Sequence, residues 1–322
     1  MRVLILGAGG FLGTRLAAHL ARTAQLAGRS IAELVLFDLR AAPVPRNATC
    51  PVTVLHGDLR DSAALDALFA VRVDAVLHLA ATLTVDAESD FRRGLETNVL
   101  GFIALLERCR LQPTAPLLLF ASSIATFGGS LPAVVGDDVF QAPTTSYGTH
   151  KTIAELLLAD HSRHGFVDGR ALRLPIVVTH PGPASGSIPD QVAALIREPL
   201  RGQRTVCRMA PASRLVAASV DKVVDGFLRL AALPASALHS GRTMNLPGLA
   251  VTPAEIVQAV ARHLPAGHGP NVDWAPDARV QQIVDGWPQS FTSARALALG
   301  FTPDASADAL VQSFLAQERS LL

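Results

Sequence analysis

Apolar residues in the first half of the chain come in short uninterrupted runs, separated by stretches of helical period. The runs predict strands at Val3–Leu6, Leu34–Phe37, Val52–Leu55, Ala75–Leu79 and Leu117–Ala121. Apolar positions three and four apart predict helices near Phe11–Ala24, Ser62–Phe69 and Asp90–Arg110. The strands are continuously apolar instead of alternating, as expected when both faces of a sheet are covered. Strand, helix, strand in repetition means right-handed crossovers, and so an α/β fold built on a doubly wound parallel sheet. A helix near Ser146–His164 and a strand near Ala171–Val178 extend the series.

After Pro181 the texture loosens. Pro181–Ser187 reads as a loop by composition. Beyond it the pattern predicts a helix near Gln191–Leu200, strands near Thr205–Cys207 and Arg214–Ala217, helices near Asp221–Ala232 and Pro253–His263, and a last helix near Ala307–Glu318. The 322-residue length suits two domains or one large α/β unit with an extension, at roughly 150 residues per domain.

Composition narrows the classes. Hydrophobic residues make up 49% and charged residues 17%, which excludes a disordered chain. With 28 basic and 27 acidic residues the formal net charge is +1, so no global field draws the protein to nucleic acid or an anionic membrane. An aromatic content of 5% offers no stacking platform for single strands. No apolar run reaches bilayer length. Met1–Leu6 imitates a signal peptide but runs into glycines without a cleavage-like site, and reads as a buried strand. Cys50, Cys109 and Cys207 are scattered with no C-x-x-C spacing, which argues against a disulfide framework or a zinc site and fits a reducing cytoplasm. His161 and His164 lack an obvious carboxylate partner, so no metal is expected.

Gly7, Gly10 and Gly13 lie between the first strand and the first helix. A tight turn, close backbone approach to a pyrophosphate and close helix–strand packing each ask for a residue without Cβ. The phosphate would then rest on free N–H groups at a helix N-terminus. Asp38 ends the second strand, where a carboxylate accepts both ribose hydroxyls of NAD and repels the 2′-phosphate of NADP; Arg40 nearby works against that choice. Asp58 ends the third strand and can meet an adenine amino group. His78-Leu79-Ala80-Ala81 ends the fourth, with small residues that let a nicotinamide ribose lie against the backbone and with His78 read as a packed side chain. Asn98, inside the long helix that follows, can hold a carbonyl or a water.

Two counts carry the catalytic reading. The chain has one tyrosine, Tyr147, and only two of its 28 basic residues are lysines, Lys151 and Lys222. Tyr147 and Lys151 are four apart on a predicted helix, so phenol and ammonium share a face. A free phenol titrates near pH 10, and bringing it to about 7 takes roughly 4 kcal/mol. One cation at about 4 Å supplies roughly that at an effective dielectric near 20. Lysine, helped by an oxidised nicotinamide, therefore suffices to make a base. Ser123, with Ser122 as runner-up, stands at the end of the fifth strand, where a hydroxyl can hydrogen-bond the reacting oxygen.

These positions, with Arg173-Leu174-Pro175, resemble the extended short-chain dehydrogenase/reductase family, the group of NAD-dependent epimerases and dehydratases. The resemblance covers nearly the whole chain. It implies a Rossmann-type domain over residues 1–178 and a smaller α+β substrate-binding region over 179–322, of which about 215–245 packs back on the first. It implies NAD held by Gly7, Gly10, Phe11, Leu12, Gly13, Asp38, Asp58, Leu59, Leu79, Ala80, Ala81, Asn98, Tyr147, Lys151 and Pro175. Ser123, Tyr147, Lys151 and Asn98 would be catalytic, and Thr82, Ser123, Tyr147, Arg173, Arg197 and Arg214 would meet a small-molecule substrate.

Ile196–Gly202, Ser213–Leu215, Ile283–Pro288 and Arg295–Phe301 resemble the branch that oxidises the sugar acid D-erythronate to its 2-keto acid. That branch tends to carry Arg-Pro-Gly-Lys-Pro-Asn where this chain has His180–Ser185, two cations fewer. The alternatives are a nucleotide-sugar epimerase and a dinucleotide-sensing regulator. Against the first, Val216–Ser219 stands where a pyrophosphate-gripping stretch is usual; against the second stands the intact Ser123/Tyr147/Lys151 set. Val99, Phe102, Leu105, Leu106, Ile153, Leu156 and Leu157 exceed one apolar stripe, and the resemblance implies that these helices pair in a cytoplasmic homodimer.

Overall fold

A computed structural model describes residues 1–178, 187–238 and 241–319. The chain divides into two units. The first comprises Met1–Thr126, Gln141–Arg173 and Val224–Met244; the second comprises Phe127–Phe140, Leu174–Val223 and Asn245–Leu322.

The first unit is built on strands β1 (Arg2–Leu6), β2 (Glu33–Asp38), β3 (Val52–His56), β4 (Ala75–His78), β5 (Leu117–Ser123) and β6 (Asp168–Leu174), with the short β7 (Thr243–Asn245) at one edge. Their order is β7-β6-β5-β4-β1-β2-β3. The pairs β1–β2, β1–β4, β2–β3 and β4–β5 run parallel. This is the doubly wound Rossmann arrangement, and its order reverses at β1. Leu6 pairs with Phe37 on one side and His78 on the other. The carboxyl ends of β1, β2 and β4 therefore open at the switch point, where such sheets take ligands.

Burial explains the continuous apolar runs. Val3 through Leu6 are 0% exposed, and so are Leu34–Leu36 and Ala75–Leu77. Helix α1 (Phe11–Thr23) buries Gly13, Leu16, Ala17, Leu20 and Ala21, a stripe at i, i+3, i+4, i+7 and i+8. Each fully buried leucine is worth about 1.5–3 kcal/mol relative to exposure. Helix α2 (Ser62–Phe69) is capped by Asp61, whose carboxylate accepts from the Ala63 N–H. The predicted long helix is continuous but not uniform. After α3 (Thr84–Ser89), α4 (Phe91–Leu95) passes through a π-helical turn, Glu96–Leu100, into α5 (Gly101–Arg110). In that turn the Gly101 N–H reaches the Glu96 carbonyl, one residue further back than α-helical spacing. Helix α6 (Ser146–Arg163) starts at Thr145, whose hydroxyl accepts from the Gly148 N–H.

The second unit has its own core. Its three-stranded sheet pairs Leu215–Ser219 with Ile176–Val178 in parallel and with Leu249–Val251 antiparallel. Helices Ile188–Leu200 and Pro253–Ala261 contribute Val192, Leu195, Ile196, Ile256, Ala259 and Val260 to one apolar cluster. The first of these begins three residues before the predicted start, because Ser187 caps it and Pro189 fits its first turn.

The strand predicted over Ala171–Val178 is two strands in different sheets, broken at Pro175, which has no N–H for a ladder. The division between units therefore falls between Arg173 and Leu174, ahead of the expected boundary at 178. Of the expected returning stretch 215–245, residues 224–244 belong to the first unit, while Leu215–Ser219 builds the second unit's sheet. Phe127–Phe140, expected with the first domain, belongs to the second, where Val135 bridges to Phe291.

Candidate active site

The glycine turn has the geometry its spacing predicts. Gly7 has φ +88°, and a Cβ there would lie 2.6 Å from the Ala80 nitrogen. A Cβ on Gly13 would lie 2.1 Å from the Gly7 carbonyl oxygen. Gly7 N–H donates to Phe37 O at 2.9 Å, while Leu79 and Ala80 N–H both donate to Leu6 O, at 2.8 and 3.0 Å. The three strand ends are thus laced by their backbones. Gly10 precedes α1 without a side-chain cap, and the helix dipole at this N-terminus favours an anion. Phe11 and Leu12 follow, half-buried. This cradle, closed to a Cβ at Gly7 and Gly13 and set at a helix N-terminus, fits a pyrophosphate. Asp38 accepts from Gly9 N–H at 2.9 Å and from Arg40 N–H at 3.4 Å, which aims its carboxylate across the turn. Asp58 is already engaged by Arg60, whose guanidinium lies 2.6 Å away and holds the carboxyl below its usual range. Leu59 is buried in the core beside it.

Ser123, Tyr147 and Lys151 come together in the first unit. Ser123, at the end of β5, lies beside the Tyr147 phenol, where its hydroxyl favours the ionised form. Its Oγ accepts the Ala125 N–H at 3.1 Å, which leaves its own proton free to turn toward the phenol. Lys151 is 3% exposed; its Nζ donates to Ala121 O at 2.7 Å and lies 4.6 Å from the Phe120 ring centroid and 5.5 Å from that of Tyr147. Burial pushes the phenol up to about 12, against the pull of Ser123, and pushes the ammonium down to about 7, against the charge of Glu155. Both groups lose water at once and the ammonium is aimed at a carbonyl, so lowering the phenol calls on the help of the oxidised nicotinamide that the sequence argument also invoked.

Asn98 sits in the π-helical turn, 6% exposed. Its Oδ1 accepts from Thr82 N–H and its Nδ2 donates to Thr82 O, both at 2.8 Å. The carbonyl it holds is therefore that of Thr82, and the amide fixes the segment after Ala80-Ala81. The His150 ring Nδ1 is 3.3 Å from the same Nδ2. His78 is buried and stacked on Phe102 and Phe120, with ring centroids at 5.3 and 5.8 Å. Burial pushes it down to about 3, so it stays neutral.

The three arginines differ. Arg173 lies 7% exposed in the first unit with its guanidinium on Glu155, 2.8 Å at the closest. Arg197, in the second unit, is 1% exposed and paired with Asp190 at 3.0 Å and Glu198 at 2.7 Å. Arg214, also in the second unit, is exposed and forms no ion pair among the described residues. Pro175 belongs to the second unit too. His180–Ser185 lies outside the described residues. The sequence reading missed Glu155, Glu88, whose carboxylate accepts from Ser146 N–H at the start of α6 at 2.6 Å, and Gly148. Glu155 carried a signal: it falls one further turn along the face shared by Tyr147 and Lys151. Among the described residues no group of three potential metal ligands occurs, and no helix is long and apolar enough to cross a membrane.

A family model, the NAD dependent epimerase/dehydratase family, matches residues 3–246. The chain belongs to this family, within the extended short-chain dehydrogenases/reductases, and its cofactor is NAD. It is an enzyme of the dehydrogenase type. Two relatives are D-erythronate dehydrogenases. That of Cupriavidus necator is 41% identical over 319 residues, 98% of each chain; that of Haemophilus influenzae is 36% identical over 315 residues, 98% of this chain and 99% of its own. A crystal structure described as a nucleoside-diphosphate-sugar epimerase from Agrobacterium tumefaciens superposes with a TM-score of 0.93 at 31% identity, covering 99% of this chain and 95% of that one.

Proposed function

We propose that the enzyme oxidises a secondary alcohol of a small sugar acid, D-erythronate or a close analogue, to the 2-keto acid. The observation that supports this chemistry is the convergence at the end of β5 of the lone phenol, the Ser123 hydroxyl beside it and the buried Lys151 ammonium one helical turn along. Near-full-length likeness to two D-erythronate dehydrogenases supports the substrate class. NAD held in the glycine cradle would supply the acceptor for the hydride that leaves the alcohol carbon. Tyr147 takes the hydroxyl proton, Ser123 holds the reacting oxygen and Lys151 supplies the positive field that favours the phenolate. The cradle of Gly7, Gly10 and Gly13, with Asp38 on the ribose, holds the dinucleotide. Asn98 positions Thr82 and the Leu79–Ala81 backbone.

Thr82 and Ser123 meet the substrate. A carboxylate substrate wants a cation, and Arg214 suits it best, since Arg173 and Arg197 already face carboxylates of this chain. Arg214→Ala is then expected to raise KM for the acid. The enzyme works in the cytoplasm, as the scattered cysteines and its cofactor suggest, and as a homodimer.

The test is an initial-rate panel of four- to six-carbon aldonic acids with NAD and NADP, followed at the nicotinamide absorbance. Turnover should be highest on a four-carbon acid with NAD, and Tyr147→Phe should lower kcat by about 10²–10⁴-fold. Full turnover in that variant would remove the base from Tyr147. The likeness to the Agrobacterium protein favours one second reading, epimerisation of a nucleotide sugar. Isomerised sugar nucleotide with no net NADH would select it.

A further inference from the structure

The end of β5 is fastened to α6 by charges that the reaction itself does not use. Glu155 is 4% exposed, one turn beyond Lys151. Its carboxylate accepts from the Ser122 hydroxyl, from Gln141 Nε2 at 2.9 Å, and from Arg173 Nε and Nη2 at 3.1 and 2.8 Å. Ser122 lies between Ala121, whose carbonyl receives Lys151 Nζ, and Ser123, which meets the phenol. Two bonds from one helix therefore grip consecutive residues of one strand end. A buried carboxylate is costly unless it is paired, and the pair here is distributed over β5, β6 and α6.

We propose that Glu155 is a positioning residue for the reaction: through Ser122 it sets the strand end that carries Ser123 and receives Lys151, and it is the carboxylate that balances Lys151 one helical turn away. The proposal rests on the reading of Ser123, Tyr147 and Lys151 given above. The groups facing Lys151 are Tyr147, His150 and Glu155 from α6, His78 from β4, and Phe120 with the Ala121 carbonyl from β5. Arg173 reaches it through Glu155. Of these only Glu155 contributes a negative charge. Arg173 moderates that charge, so removing either member of the pair should move Lys151 in opposite directions. A role confined to packing has no such sign.

Only two lysines make the experiment clean. The full-length protein is labelled with ε-¹³C lysine and the methylene shifts of Lys151 and the surface Lys222 are followed against pH, with and without NAD. Glu155→Gln should lower the Lys151 midpoint by about one unit, and Arg173→Gln should raise it by a similar amount. Lys222 should not move in either. The pH–rate profile of Glu155→Gln should lose activity at lower pH on its alkaline side than the wild type. Either variant alone reads the proposal by its sign, so the failure of one to fold leaves the other decisive. An unchanged Lys151 midpoint, or shifts of one sign in both variants, overturns the proposal. These shifts without sugar-acid turnover in the wild type would instead leave the Glu155–Lys151 coupling standing and sink the proposed function.

Discussion

Gly148, next to the only tyrosine, is where a missing Cβ matters most for chemistry. A Cβ there would stand 2.0 Å from the Ala125 carbonyl oxygen and 3.0 Å from Pro143. The helix that carries Tyr147 and the turn that follows Ser123 touch through this gap. Gly148→Ala must push them apart, at about 1–3 kcal/mol of overpacking. The expected result is a loss in kcat of about 10²-fold, with NAD affinity kept, read by steady-state kinetics beside cofactor titration. Gly13→Ala should do the reverse, weakening NAD before it disturbs Ser123 and Tyr147, because its Cβ would strike Gly7 O in the cradle. At this scale spacing made placement legible: Gly7 and Gly13 meet in one turn, and Lys151 lies beside the Tyr147 ring. The sequence was silent on Glu155 as a charge partner, since that role exists only once the ends of β5 and β6 meet α6.

At the scale of elements, β4 ends in a histidine that the fold keeps uncharged. The His78 ring lies between Phe102 of α5 and Phe120 of β5, and its pKa stands at about 3 against an ordinary 6.5. Between those two values the unfolded chain binds a proton that the folded chain refuses. Stability therefore rises with pH across this window and is lost as pH falls through it, by roughly 3 kcal/mol between pH 7 and pH 4. His78→Phe keeps the stack and removes the titration. Urea unfolding at the two pH values should show a smaller acid loss for this variant than for the wild type; an equal loss would place the acid sensitivity elsewhere. The π-helical turn beside it makes a separate demand. Asn98→Ala would leave the Thr82 N–H and carbonyl without their partner, at about 1–3 kcal/mol. It should lower both melting temperature and kcat. Helix period alone marked Asp90–Arg110 as one helix, and Asp90 does cap it by accepting the Arg93 N–H. The period could not reveal the turn inside, because one displaced hydrogen bond leaves the apolar stripe almost unchanged. The break at Pro175 was legible in principle from the missing N–H, but the apolar run through Ala171–Val178 masked it.

The whole molecule poses the question of what covers the outer side of α5 and α6. The apolar residues first counted there fall into two sets. Val99, Phe102, Leu105 and Leu106 are 0–6% exposed and belong to the unit's own core, so they are no argument for a partner. Leu100, Ile103 and Leu156 are 53%, 44% and 65% exposed, and Ile153 and Leu157 are partly buried beside Leu156. Leu100 and Ile103 are three apart, so they share one helical face, as Ile153, Leu156 and Leu157 do on the neighbouring helix. A second copy that lays the same two helices against these would bury both sets by symmetry, the isologous contact of a two-fold dimer. Placing a charge at the centre of that face, Ile103→Glu, should leave the fold intact, because the residue projects away from the core. In the dimer it would set two carboxylates near one another in an apolar seam, where each lacks a partner. Light scattering at dilute concentration should then give twice the mass of the 33.8 kDa chain for the wild type and the single-chain mass for the variant. A wild type that already scatters as a single chain would remove the dimer and leave these three side chains as ordinary exposed apolar surface.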